Sequence, residues 1–432
     1  MPSLTLPKCS TGIKGFDEIT GGGLPKGRPT LICGGAGCGK TVFSMEYLVR
    51  GASEYGEPGV FMSFEESEKD LLENFSTDGF RLKELIAENK IAIDHVFVDR
   101  KEIEETGEYD LEGLFIRLNM AIDQVKAKRV VLDTIESLFS GFSNEGILRA
   151  ELRRLFRWLK DKGVTAVITA ERGKDTFTRH GLEEYVADCV ILLDHRVQGQ
   201  LSTRRLRIVK YRGSVHGSDE YPFLIHSDGL SLVPISTLSL NQAAPSERAS
   251  TGVDRLDTML DGKGYYRGST ILVSGTAGTG KTSLAAQFVD STCSRGERAV
   301  YLSFEESPAQ IVRNMKSIGI DLEGWVKKGL IQFHAVRPTL YGLESHLREI
   351  HEIIETFQPD AVVIDPISNL GSIGNLTEVK SMMVRVLDYL KSRGITTLCT
   401  DLTSGGTSVQ ETEIGISSLS DTWILLRIHE NL

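Results

Sequence analysis

The sequence contains no uninterrupted apolar run of about 18 residues, so no membrane-spanning helix is expected. Its first residues, MPSLTLPKCS, have neither a basic stretch nor an apolar centre and do not read as a secretory leader. The six cysteines (Cys9, Cys33, Cys38, Cys189, Cys293, Cys399) are scattered and form no C-x-x-C pair. That argues against a disulfide framework and for reduced thiols in the cytoplasm. The nine histidines show no H-x-H, H-E-x-x-H or paired Cys/His spacing, which argues against a zinc-type site. Positive charge is in short supply too. The net charge is −10, which counts against a surface built to coat nucleic acid. Arg149, Arg153, Arg154 and Arg157 recur at helical spacing and read as a solvated or subunit-facing helix side, not a DNA stripe.

What is present is a pair of phosphate-binding loops about 240 residues apart. Gly34 opens the first, which continues as Gly35-Ala36-Gly37-Cys38-Gly39-Lys40-Thr41-Val42. Gly275 opens the second, which continues as Thr276-Ala277-Gly278-Thr279-Gly280-Lys281-Thr282-Ser283. Each fits G-x-x-x-x-G-K-[ST]. The glycines let successive N–H groups curl around phosphate oxygens, the lysine supplies a point charge to the β/γ-phosphates, and the threonine hydroxyl reaches Mg²⁺. The positive N-terminal end of the following helix adds to this. These residues are the candidate nucleotide contacts, and ATP with Mg²⁺ is the expected cofactor.

The surroundings of the loops repeat as well. Ser10-Thr11-Gly12-Ile13 returns as Ser250-Thr251-Gly252-Val253, and Asp17 as Asp257. Val60 to Ser67 (VFMSFEES) returns as Val300 to Ser307 (VYLSFEES), and Val130-Val131-Leu132-Asp133 as Val362-Val363-Ile364-Asp365. A repeat of about 240 residues is a duplicated domain, not a solenoid unit. The expected domains are 1–240 and 241–432, with the seam in the polar, proline-containing segment 237–249.

Within the first half, helices are expected over 41–51, 67–75, 111–125 and 146–162, with strands over 59–64, 129–133, 164–170 and 189–193. Strand alternating with helix implies α/β domains, each a mainly parallel sheet covered by helices on both faces. Residues 204–233 break into short β-prone pieces at Gly213, Gly217 and Gly229 and read as an antiparallel extension.

Open α/β sheets place ligands at the carboxyl ends of their strands. Asp133 and Asp365 each end an apolar strand of the Walker B kind and, with Thr41 and Thr282, are the candidate metal ligands. Glu65-Glu66 and Glu305-Glu306 follow the strand after the phosphate-loop helix. A carboxylate there can orient or deprotonate an attacking water or hydroxyl. Adjacent strand residues point to opposite faces, so one member of each pair is expected to face the nucleotide. Glu305 is also a candidate metal ligand.

The tandem halves, the doubled F-E-E, the segment Lys210-Tyr211-Arg212-Gly213 and the stretch Gly217-Ser218-Asp219-Glu220-Tyr221-Pro222-Phe223 together resemble the KaiC family of RecA-like ATPases. The likeness covers nearly the whole chain. It implies two tandem RecA-like domains in a double-ring homohexamer with nucleotide held between subunits. It implies slow ATP hydrolysis in the first ring. In the second it implies phosphate transfer to, and removal from, the ring's own hydroxyls. By the resemblance, Glu65 and Glu305 are the catalytic glutamates of the two rings. Lys210 and Arg212 are presented to the neighbour's nucleotide like an arginine finger, and Ser214 and His216 belong to the same nucleotide-contacting segment. Ser417 and Ser418 match the phosphate acceptors, and Thr412 and Glu413 the Thr-acidic pair before them. A KaiB-like partner docking on the first ring is implied. No membrane and no nucleic acid are.

The chain also departs from the family's pattern. Ile318 stands where the family's pattern has a tryptophan near the base, which predicts weakened base recognition. No K-x-R-G segment follows the last strand of the second half as Lys210-Tyr211-Arg212-Gly213 does in the first, so KaiA-type activation through a C-terminal tail is not expected. Two other readings stay open. A RecA-like DNA-dependent ATPase predicts stimulation by single-stranded DNA, against which the acidic balance counts. A nucleotide-gated scaffold with little turnover would leave the paired glutamates without a use.

Overall fold

The computed structural model describes residues 6–75, 80–96, 111–139, 145–173, 176–178, 187–198, 201–226, 229–232, 245–340, 342–403, 415 and 417–428. The chain divides into two compact units, Met1–Pro234 and Ile235–Leu432.

The main sheet of the first unit contains β1 (Pro29–Gly34), β2 (Gly59–Ser63), β3 (Ile91–His95), β4 (Arg129–Asp133), β5 (Thr165–Glu171), β6 (Cys189–Gln198), β7 (Leu201–Tyr211), β8 (Glu220–His226) and β9 (Gly229–Leu232). Their order across the sheet is β9-β8-β7-β6-β1-β5-β4-β2-β3. The six strands from β6 to β3 are parallel. The last four strands in sequence pair antiparallel, as residues 204–233 suggested. The principal helices are α1 (Lys40–Glu54), α2 (Glu68–Asn74), α3 (Glu112–Val125) and α4 (Glu145–Asp161).

The second unit repeats the parallel part. Its strands are β10 (Thr270–Gly275), β11 (Ala299–Ser303), β12 (Ile331–Ala335), β13 (Ala361–Asp365), β14 (Thr396–Leu402) and β15 (Thr422–Leu426), in the order β12-β11-β13-β14-β10-β15. This is the order β3-β2-β4-β5-β1-β6 again, with every pair parallel. Helices α5 (Lys281–Ser294), α6 (Pro308–Lys316), α7 (Leu343–Phe357) and α8 (Leu376–Ser392) complete it.

Strands buried on both faces need unbroken apolar runs, and β4 (RVVLD) and β13 (AVVID) are buried throughout. In the first unit, Leu31, Val60, Val130 and Ile168 of the sheet pack with Leu118 of α3 and Leu152 and Leu155 of α4. In the second, Ile271, Tyr301, Val363 and Leu398 pack with Phe288 and Val289 of α5. The repeated S-T-G-x…D pattern folds one way in both halves. Asp17 accepts hydrogen bonds from the Thr11 N–H, the Thr11 hydroxyl and the Gly12 N–H. Asp257 accepts them from the Ser250 hydroxyl and the Thr251 N–H.

The halves differ beneath the first sheet edge. Arg129 is 1% exposed. Its guanidinium donates to Glu57, to the Tyr47 carbonyl and to the Ser10 carbonyl, and lies 4.6 Å from the Tyr47 ring centroid. Gly51 of α1 leaves room for it, since a Cβ there would stand 2.5 Å from the Arg129 side chain. At the corresponding positions the second unit has Ala361 and Thr292.

Candidate functional site

Each phosphate loop leaves the carboxyl end of the central strand, β1 or β10, and enters a helix. Gly39 and Gly280 occupy the residue before that helix with φ of 103° and 89°, a region open to glycine at no steric cost. Lys40 and Lys281 begin the helices, and both are largely buried. Lys40 Nζ donates to the carbonyls of Gly34 (2.9 Å) and Gly35 (3.0 Å). Lys281 Nζ donates to those of Gly275 (2.9 Å) and Thr276 (2.8 Å). Burial pulls the Lys281 ammonium below its ordinary range, opposed by the charges of Asp365, Asp401 and Glu305. Cys38, inside the first loop, is buried, which pushes its thiol up.

Two strands away, β4 and β13 deliver Asp133 and Asp365 to the same edge. In the first unit the Thr41 hydroxyl donates to Asp133 Oδ2 at 2.9 Å, and the Thr169 hydroxyl donates to Oδ1. Burial raises the Asp133 carboxyl above the usual range, with those two hydrogen bonds and the Lys40 charge working against the rise. A hydroxyl and a buried carboxylate at this spacing form a hard-oxygen donor pair of the kind that suits Mg²⁺. In the second unit the Thr400 hydroxyl donates to Asp365 Oδ1, but Oδ2 accepts from the Tyr301 hydroxyl at 2.6 Å. Phe61 stands at the matching position of the first unit.

The glutamate pairs lie in the turn just beyond β2 and β11, because those strands end at Ser63 and Ser303. The expectation that strand alternation would separate the two members is therefore replaced by a turn that separates them. Glu66 N–H donates to the Ser63 hydroxyl and Glu66 Oε2 accepts from Asn74 of α2; Glu306 does the same with Ser303 and Asn314 of α6. The second member of each pair is thus tied into the turn. Glu65 and Glu305 are the exposed members. Glu65 Oε1 accepts from the Thr134 hydroxyl (2.7 Å) and the Ser137 hydroxyl (2.9 Å). The second unit has Pro366 and Asn369 at those places, and Asn369 donates to the Phe304 carbonyl.

Phosphate loop, aspartate and glutamate therefore converge at the carboxyl edge of each sheet. The other candidates in the first unit do not join them. Lys210 is near the end of β7, and Arg212 follows it in a turn. Tyr211 and Thr30 both pair with Cys189, so this segment sits at the opposite, N-terminal end of β1. With six residues in β1, it lies roughly 17 Å along the strand from the phosphate loop. Ser214 and His216 share that edge; the His216 ring is 6.4 Å from that of Tyr211. Burial and the Lys8 charge lower the His216 imidazole.

Ser417 and Ser418 occupy a single turn, Ser417–Leu419, whose Ser417 carbonyl accepts from the Ser420 hydroxyl; Ser418 is exposed. Asp421 N–H donates to the Thr270 carbonyl, which fixes this turn at the N-terminal end of β10, again opposite its own phosphate loop. Thr412 and Glu413 lie outside the described residues. Ile318 follows α6 and is 57% exposed.

Sequence reasoning missed Thr134, Ser137, Thr169, Thr400 and Tyr301. Thr169 and Thr400 carried a usable signal, a threonine at the same place in the strand after each aspartate. The other three differ between the halves, so the repeat could not flag them. All six cysteines are buried and none is in a disulfide, and no helix among the described residues is long and apolar enough to cross a membrane.

A family model described as "ATPase: KaiC" matches residues 9–237 and again 249–431. The chain is similar to the "Circadian clock protein KaiC2" of a Synechocystis strain, 59% identical over 98% of this chain and 75% of the relative. It is similar to the "Circadian clock oscillator protein KaiC" of Parathermosynechococcus lividus, 39% identical over 98% of this chain and 79% of the relative. The protein of that name from Synechococcus elongatus is 38% identical over 98% of this chain and 82% of its own.

Proposed function

The chain belongs to the KaiC family and is an ATPase and autokinase of that circadian clock type, and from that premise we propose how its two sites divide the work. In the first unit, Lys40 and the loop amides hold the nucleotide phosphates. Thr41 and Asp133 hold Mg²⁺, which when bound neutralises phosphate charge. Glu65, fixed by Thr134 and Ser137, directs the attacking water. In the second unit, Lys281, Thr282 and Asp365 play the corresponding parts, and Glu305 activates a serine hydroxyl, that of Ser417 or Ser418.

The observation that carries this reading is the separation of each set across its sheet. Arg212 and Lys210 lie at one end of β1 and the first phosphate loop at the other. Ser417 and Ser418 lie at one end of β10 and the second loop at the other. A separation of roughly 17 Å is far beyond the hydrogen-bond reach that general-base or phosphate contact requires. These groups therefore serve the nucleotide of another copy, which makes a ring the functional unit and nucleotide its glue. The assembly proposed is the double-ring homohexamer, with a KaiB-like protein as the expected partner.

The test is intact and peptide mass of phosphate-free protein after incubation with MgATP. A phosphate-sized gain at Ser417 or Ser418 is expected. It should be absent in Lys281→Ala and restored when Lys281→Ala subunits are mixed with Ser417→Ala/Ser418→Ala subunits, because donor site and acceptor then come from different copies. Gain only within wild-type monomers, with no rescue on mixing, would overturn transfer between copies.

A further inference from the structure

We propose that Asp188 is the positioning residue for Arg212, holding its guanidinium at the sheet edge from which it reaches the neighbouring subunit's phosphates. This rests on the role proposed above for Arg212 and adds the residue through which that arginine is aimed.

Asp188 directly precedes β6, and its side chain is only 12% exposed. Three cations surround this one carboxylate. Arg212 Nη1 lies 3.5 Å from Oδ1, and Lys160 Nζ at 3.4 Å and Arg28 Nη1 at 3.9 Å lie near Oδ2. Arg212 is tied a second time, its backbone N–H donating to the Asp188 carbonyl at 2.9 Å. The Arg212 side chain is nevertheless 54% exposed, so its outer face is open. The backbone is fixed and the guanidinium is restrained on one side, which is what a group acting on a partner's ligand needs.

The second unit supplies an internal control. Asp421 stands at the matching place before β15, and Lys391, like Lys160 the last-but-one residue of its helix, contacts both of its oxygens at 3.0 Å. There, Oδ2 also accepts the Thr270 backbone N–H at 2.8 Å. In the first unit the residue at the position of Thr270 is Pro29, which has no N–H to give. The first aspartate thus has no backbone donor at that position and is paired with Arg28 and Arg212 instead. The proline, which looks unremarkable at the start of a strand, is what leaves the carboxylate available to an arginine.

The experiment measures ATP hydrolysis by the full chain carrying Lys281→Ala, so that turnover reports the first unit alone. Asp188→Asn should lower kcat about tenfold, a modest misplacement cost beside the 10³ or more that an arginine finger supplies, with little change in KM. Asp188→Glu should recover most of that loss. Pro29→Thr, which offers Asp188 a backbone N–H, should lower kcat several-fold without lowering Tm. In an Arg212→Ala background, Asp188→Asn should have no further effect, since the two act as one unit. The inference is overturned if Asp188→Asn leaves kcat unchanged, or lowers it by the same factor with and without Arg212. A defective Arg212→Ala beside a normal Asp188→Asn would sink only this inference. A fully active Arg212→Ala would sink the role of Arg212 as well.

Discussion

The two phosphate sites share every element that positions them and differ in what touches the carboxylates proposed to act there. In the first, Asp133 Oδ2 meets the hydroxyl of the phosphate-loop threonine, and Glu65 is held between two further hydroxyls. In the second, the Tyr301 hydroxyl takes the matching oxygen of Asp365, while Pro366 and Asn369 replace the pair that steadies Glu65. A glutamate fixed by two donors is set to aim a small nucleophile such as water. A glutamate without that pair can adapt to a bulkier one, such as a seryl side chain arriving from another chain. Duplication thus kept the binding chemistry and released the side chains around it, which strand order does not constrain.

The largest expected effect tests whether the sites really divide the work. Lys40→Ala should reduce ADP production by about 10²-fold or more while leaving phosphate incorporation detectable, and Lys281→Ala should do the reverse. Equal losses of both activities in both variants would erase the distinction. Next, Glu65→Gln should slow hydrolysis by about 10²-fold with nucleotide binding retained, the usual yield of a general base. Thr134→Ala should give a smaller loss of the same kind, while Glu66→Gln, whose partner is Asn74, should have the least influence on kcat.

A smaller effect is expected at the tyrosine. Tyr301→Phe removes the hydroxyl from Asp365 and makes the second site resemble the first, so the Mg²⁺ concentration needed for half-maximal phosphate incorporation should fall several-fold; Phe61→Tyr should raise that needed for hydrolysis. A magnesium requirement unmoved by either change would mean that the tyrosine is a packing feature only. The smallest effect concerns stability. Burial raises the Asp133 carboxyl, so the folded chain holds that proton to higher pH than the unfolded chain does. The group therefore costs stability above its raised range and ceases to cost it as pH falls through that range. Asp133→Asn should raise Tm of the nucleotide-free protein at pH 7 and raise it less near pH 4, while abolishing first-site turnover. Calorimetry showing the same shift at both pH values would contradict this.

Much of the architecture was legible because it was written twice. The repeated loops, the buried β4 and β13, and the recurrence of serine-phenylalanine-glutamate-glutamate all follow from local pattern, and the alternation of strand and helix fixed a parallel sheet. The antiparallel extension was legible from its glycine breaks. The sequence reading stopped the strands a residue late at Phe64, because an apolar residue after a strand looks the same as one inside it. The turn beyond it, tied by Ser63 and Asn74, is a contact between segments that no spacing predicts.

Sequence alone thus establishes that this chain carries two phosphate loops in two like halves, since such loops depend on glycine freedom and a lysine at fixed short spacing. It also supplied, through resemblance, the names of the residues at each site. Which of those residues share an edge depends on strand direction in the folded sheet. Arg212 and Ser418 are chemically able to act on a phosphate, but strand direction carries them to the far end of the sheet from their own loops. The tertiary structure likewise decided that Asp188 meets Arg212, because whether a carboxylate is satisfied by an N–H or by a guanidinium depends on which backbone lies opposite it, and opposite Asp188 that backbone is a proline.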